Sequence, residues 1–190
     1  MTSHDLPVPL QRFIQGVADL IEAEREEAVL LPKAGELMHA LVAQDDWLAP
    51  AHACSHPQHY RQYLLYADPL DRFSVVSFVW GPGQSTPIHD HTVWGVIGVL
   101  RGAEFAQNYA IGPDGTIVAA AEEIRLLPGD IGFVSPAIGD VHRVRNAFDD
   151  RVSISIHAYG GNIGKIRRHV FPADGGARKE FVSGYSNSTP

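Results

Sequence analysis

From residue 73 onward the chain breaks into short apolar runs, each four to eight residues long and set apart by turn-forming residues. The runs are 73–80, 93–100, 104–110, 117–121, 124–127, 131–135 and 152–159. Gly81-Pro82-Gly83, Gly112-Pro113-Asp114-Gly115, Pro128-Gly129-Asp130 and Phe148-Asp149-Asp150 punctuate them with the residues that tight turns need. Short strands at this regular spacing predict a mainly β sandwich or barrel. Ahead of residue 65 the period changes. Leu10, Phe13, Ile14, Val17, Leu20 and Ile21 recur at three- and four-residue intervals, the mark of an amphipathic helix. Leu30, Leu31, Leu37, Leu41 and Val42 suggest a second helix, with Gly35 counting against it. Ser55-His56-Pro57 offers a cap and an early proline for a third, carrying Tyr60, Tyr63 and Leu64. The expected organisation is one domain over 1–190: helices in 1–65 packed outside a barrel in 73–171, then a Gly- and Ser-rich tail over 174–190 that Phe181 and Tyr185 pin.

The bulk properties narrow the partners. At 190 residues, 45% apolar and 19% charged, the chain can bury a sizeable core. A net charge of −7 argues against nucleic acid or an anionic membrane as the main partner. The single cysteine, Cys54, cannot form an internal disulfide and fits a reducing compartment. No apolar run approaches the ~20 residues of a membrane helix, and MTSHDLPVPL lacks the basic and apolar regions of a signal peptide, so a cytoplasmic protein is expected.

Ten histidines occur, and His4, His39, His52, His56, His59 and His169 stand in contexts that read as ordinary surface or packing positions. The stretch Pro87-Ile-His-Asp-His-Thr-Val-Trp94 is different. Residues i and i+2 of a strand share a face, so His89 and His91 aim two imidazoles at one point with Asp90 turned away. His89 follows Gly83 with five residues between, and His142 follows Gly139 with two between and has Asn146 four residues after it. Together the two stretches, over roughly 83–146, resemble the paired motifs of the cupins, small β-barrels with a metal inside. The usual cupin glutamate after the His-x-His pair is missing: Gly95 and Val96 stand at its place, and Glu104 lies too far along. Three neutral histidines would leave an octahedral ion open positions and its full charge, which favours anionic ligands such as a thiolate. Zinc fits three histidines as well, so ligand count alone does not choose the metal.

Ser155, His157 and Tyr159 alternate with Ile156 and Ala158, which places the three polar groups on one face of a strand. The plain alternative is a strand with one wet face. Where a barrel closes, however, that face looks inward, and a Ser-His-Tyr chain can satisfy its own hydrogen bonds. With His89, His91 and His142, this arrangement resembles the thiol dioxygenases, which include cysteine dioxygenase and 3-mercaptopropionate dioxygenase, over roughly 60–159. The resemblance implies one Fe(II) per chain on the three histidines, a small thiol and O2 as partners, a sulfinate product, and Ser155-His157-Tyr159 as a relay beside the metal. Animal cysteine dioxygenases carry a cysteine, cross-linked to the relay tyrosine, where Gly95 stands here, so Tyr159 is expected to stay unmodified. Gln62 replaces the carboxylate-binding arginine of cysteine dioxygenases, which resembles the bacterial 3-mercaptopropionate enzymes. Their C-terminal arginine corresponds to Arg168, with Arg167, Arg61 or a merely solvated charge as the alternatives. Cysteine and mercaptosuccinate remain rival substrates, and a non-catalytic metal-binding sensor is the rival outside enzymes.

Overall fold

The computed structural model describes residues 6–173 and 176–187. His4, read from the sequence as ordinary, lies outside them, as do residues 174–175 and 188–190 of the tail. Two helices come first, α1 (Val8–Ala23) and α2 (Glu27–Val42), then a 3-10 turn at Pro50–His52. One sheet has five strands in the order β1 (Arg61–Ala67), β2 (Ser74–Trp80), β10 (Ser153–Tyr159), β4 (Gly95–Arg101) and β8 (Ile131–Val134). The other runs β12 (Lys179–Phe181), β11 (Arg168–Phe171), β3 (Ile88–His89), β9 (His142–Asn146), β5 (Glu104–Ile111) and β6 (Ile117–Ala119), with β7 (Ile124–Leu126) also on β5. The pairings are antiparallel, and the sheets close on a common interior as the sequence predicts.

The five-stranded sheet is buried on both faces, so β2 and β10 are buried along their whole length. Its outer face carries Val75, Val79, Val96, Leu100, Ile154, Ile156 and Ala158, which form one apolar cluster with Phe13, Val17, Leu31 and Met38 of the helices. Its inner face carries Val76, Phe78, Trp80, Ile97 and Tyr159, which form a second cluster with Val134, Val144 and Ile163. At about 1.5–3 kcal/mol per buried large apolar side chain, these two clusters are the main drive for folding. The helices therefore lie outside the barrel. Close contact demands small residues there: a Cβ on Gly98 would come within 2.7 Å of Met38, and one on Gly35 within 2.7 Å of Phe133. Gly35, which counts against a helix locally, is what lets α2 approach the sheet.

The expected third helix is a strand. Tyr60, Tyr63 and Leu64 fit a helical interval, but Tyr63 and Leu65 also alternate, and both are buried among the helix-side apolar residues. Pairing with β2 decides, because it satisfies the backbone ladder and buries aromatic and branched side chains on a pleated surface. Three further strands were not expected, β9, β11 and β12, while the strand expected to carry both His89 and His91 is the two-residue β3, which ends at His89. The three are short and carry histidine, arginine or lysine, so no apolar run announces them. The described part of the tail is held against the barrel. Phe181 pairs with Arg168, and the Tyr185 hydroxyl accepts from the Gly164 amide at 2.9 Å and donates to Asn162 at 2.5 Å. Ser186 and Asn187 then bond along β1. No helix among the described residues is long and apolar enough to cross a membrane.

Candidate functional site

His89 ends β3 and sits directly opposite His142 on β9. His91 lies just beyond β3, and Thr92 takes a positive φ of 61°, turning the chain away at once. One ring nitrogen from each of the three histidines lies within 4.8 Å of the others, and all three side chains are buried. The outer nitrogens of His89 and His91 are committed. His89 Nδ1 donates to the Pro87 carbonyl at 3.0 Å, and His91 Nδ1 donates to Asp140 at 2.9 Å. The other ring nitrogen of each, Nε2, is thereby left as a lone pair. Asp140 also accepts from the backbone N–H groups of His91 and Thr92, which fixes the loop that carries His91.

Electrostatics favour the neutral, ligating form. Burial first, then the neighbouring His91, pushes His89 down to about 3. Burial and the other two imidazoles hold His142 well below its ordinary value. Burial raises Asp140, but its bonds to His91 and the loop amides outweigh that and leave it low, an anion behind His91. Three buried lone pairs converging without a carboxylate among them suit a divalent cation. As the sequence predicts, Glu104 stays out of this cluster.

The Ser155, His157 and Tyr159 side chains face the interior and bond in line. Ser155 Oγ lies 2.8 Å from His157 Nε2, and His157 Nδ1 lies 2.8 Å from the Tyr159 hydroxyl. Trp80 Nε1 donates to Ser155 Oγ at 3.2 Å. The Tyr159 ring stacks on His91 with centroids 5.3 Å apart, which brings the line to the cluster. Burial raises the Tyr159 phenol, partly offset by Arg168, so it stays protonated at neutral pH. Burial also keeps His157 well below its ordinary value and hence uncharged. Gly95 pairs with Tyr159 across β4 and β10, and a Cβ there would sit 2.8 Å from the Tyr159 ring. Cys54, the one cysteine, is exposed beyond the helices and bonds to the Pro50 carbonyl.

Arg168 is 3% exposed and forms no ion pair with any described carboxylate. Its Nη2 donates to Ser183 Oγ at 2.7 Å, its guanidinium lies 4.6 Å from the centre of the Phe181 ring, and its Nε has no partner. Gln62 Nε2 donates to the same Ser183 Oγ at 3.1 Å, so the two residues singled out from the sequence do converge. Arg167 points outward and pairs with Glu180 at 3.0 Å, mostly exposed. Arg61 sits on β1 one residue from Gln62, hence on the opposite face. Asp90 is turned from the cluster but buried: it accepts from His169 Nδ1 and from the His169 amide, both at 2.7 Å. His169, unremarkable in the sequence, thus clamps β11 to β3 and sets Arg168 beside the histidines. Asp140, Ser183 and this clamp belong to the candidate site and were not read from the sequence. Asp140 stands two residues before His142, the one local signal that could have flagged it.

The model of one family, cysteine dioxygenase type I, matches residues 7–170. The chain belongs to the cysteine dioxygenase type I family. That family consists of cupin thiol dioxygenases, and the described barrel with helices outside is the cupin architecture. Solved structures of lower likeness include a conserved protein with a double-stranded β-helix domain from Klebsiella pneumoniae, 19% identical, covering 63% of this chain and 93% of that one with a TM-score of 0.45. A cupin-like protein from Thermotoga maritima is 18% identical, covering 73% and 90% with a TM-score of 0.48. A cupin superfamily protein from Desulfitobacterium hafniense is 14% identical, covering 63% and 94% with a TM-score of 0.47.

Proposed function

We propose that the protein is an Fe(II)-dependent dioxygenase that converts a small thiol carboxylate to its sulfinate, with 3-mercaptopropionate preferred over L-cysteine. The observation that carries this reading is Arg168, the one buried cation among the described residues, standing beside the histidine cluster without an anionic partner. A buried charge is costly unless paired, and a substrate carboxylate supplies the pair through a charge-assisted, bidentate contact. Ser183 holds the guanidinium and Gln62 in one place, so the contact needs little reordering. Fe(II) on His89, His91 and His142 would supply the redox chemistry that O2 and a thiol lack on their own. Asp140 orients His91, Tyr159 presents a protonated hydroxyl at the cluster, and Phe78 and Trp80 line the interior and keep bulk water from it.

The preference follows from the acids near the site. Asp90 is committed to His169 and Asp140 to His91, so neither stands free for the ammonium of an amino acid. A second carboxylate, as in mercaptosuccinate, would need a second buried cation. Steady-state kinetics of the iron-loaded protein with the three thiols tests the preference. The highest kcat/KM should belong to 3-mercaptopropionate; a higher value for L-cysteine would overturn it.

A further inference from the structure

Glu104 opens β5 with its side chain fully buried. Ser153 Oγ donates to Oε1 at 3.0 Å, but Oε2 has no hydrogen-bond partner. Such an oxygen costs about 1–3 kcal/mol and calls for an explanation. The Ser155 hydroxyl, the inner end of the Ser-His-Tyr line, and the Trp80 indole that bonds to it stand near enough to lower the carboxyl, but neither makes a hydrogen bond to Oε2, which a turn of the hydroxyl would supply. From β9, Asn146 faces it with its amide committed to the Trp80, Gly81 and Arg151 carbonyls. Among the described residues no cation balances it: Arg125 and Arg145 lie over Phe105 on the outer face, Arg145 also pairs with Glu123, and Arg101 pairs with Asp45. The remaining ionisable groups of β9 and β10 are His142, Arg143, His157 and Tyr159. Glu104 also lines a cavity of about 380 Å³, walled by Ile97, Leu126 and Val134, whose lining includes the exposed Ile124 and Ile138. Burial pushes the carboxyl up to about 7, opposed by Ser155, Ser153 and Trp80.

We propose that Glu104 is a positioning residue of the relay: acting through Ser155 and His157, it sets whether the Tyr159 hydroxyl donates back to His157 or outward to the bound molecule. When Glu104 is ionised, Ser155 O–H donates to it, His157 Nε2–H donates to Ser155, and Tyr159 O–H donates to His157 Nδ1. When Glu104 is protonated, every bond reverses: Glu104 donates to Ser155, Ser155 to His157 Nε2, and His157 Nδ1–H to the Tyr159 oxygen. The Tyr159 proton is then free for the site. The two arrangements differ by one proton, exchanged at Glu104 with the cavity, and by the His157 proton sitting on Nε2 or Nδ1. In both, Ser155 donates once and accepts twice, from Trp80 and one neighbour, which its hydroxyl allows.

The outward direction rests on the dioxygenase reading, but the switch itself does not, and the experiment separates them. In metal-free protein, infrared difference spectra should show a protonated-carboxyl band that disappears as pH rises through about 7 and is absent from Glu104→Gln. In the same samples, nitrogen NMR of His157 should show its proton moving from Nδ1 to Nε2. In Glu104→Gln, with the amide oxygen held by the Ser153 hydroxyl, the amide nitrogen donates to Ser155 and the proton should stay on Nδ1 throughout. Ser155→Ala keeps Glu104 titrating but should uncouple His157 from it, which guards against a misfolded first variant. With iron and thiol, kcat of the unaltered protein should fall above about pH 7 while that of Glu104→Gln stays flat. A His157 proton that ignores pH in the unaltered protein, or shifts alike in all three proteins, overturns the proposal. An absence of thiol oxidation with the NMR shifts intact overturns only the function.

Discussion

At the scale of single residues, the site is set by which groups are left without a partner. Arg167 and Arg168 are neighbours in sequence, yet one spends its charge on Glu180 in water and the other is buried with none to meet. Arg168→Ala is therefore expected to lower kcat/KM for 3-mercaptopropionate by one to two decades, the worth of roughly 1.5–3 kcal/mol for a charge-assisted contact, while Arg167→Ala changes it less than about twofold. Initial-rate measurements on the two variants decide between them. Gly95 makes the complementary point. With no side chain against Tyr159, no thioether can form, and intact mass after turnover should show no loss of two hydrogens. Gly95→Ala would press a methyl into the Tyr159 ring and Val134, at 2.8 Å each, and should destabilise the fold by about 1–3 kcal/mol in chemical denaturation.

At the scale of elements, β10 carries the most information in the chain. Its even positions face the helices and its odd positions face the interior, so one alternation serves two cores and one relay. Ser155, His157 and Tyr159 were legible in the sequence because the strand period of two makes spacing equivalent to geometry. His89, His91 and His142 were legible for a related reason, although β3 covers only His89 and a turn delivers His91. The strands β9 and β11 stayed hidden because their pattern is mixed and their partners lie far away in sequence. Ser183, Asp140 and Glu104 were illegible because each acquires meaning only from a cross-strand neighbour. Glu104 has a consequence for stability as well. Its carboxyl titrates near 4.5 when unfolded and about 7 when folded, so the folded state holds the proton longer. Stability should be fully present below about 4.5 and fall by about 3 kcal/mol as pH rises through 7. Glu104→Gln removes that loss. Urea denaturation at about pH 5 and pH 8 should show the variant gaining on the unaltered protein at the higher pH; an equal difference at both would refute the burial effect.

At the scale of the whole molecule, the helices and the barrel divide the labour. The helices cover the outer face of the five-stranded sheet, so its inner face can carry polar groups without threatening the fold. The second sheet brings His89, His142 and Arg168 together through β3, β9 and β11, and the tail laid along β1 supplies Ser183. Three histidines that could hold a metal ion and the buried Arg168 thus meet in one place, as the proposed thiol carboxylate would require. The most direct test is turnover of the iron-loaded protein with 3-mercaptopropionate under ¹⁸O2, followed by mass spectrometry of the product. A sulfinate with both oxygens labelled is the predicted result. A product with one label or none, or oxygen uptake that leaves the thiol unchanged, would contradict a thiol dioxygenase.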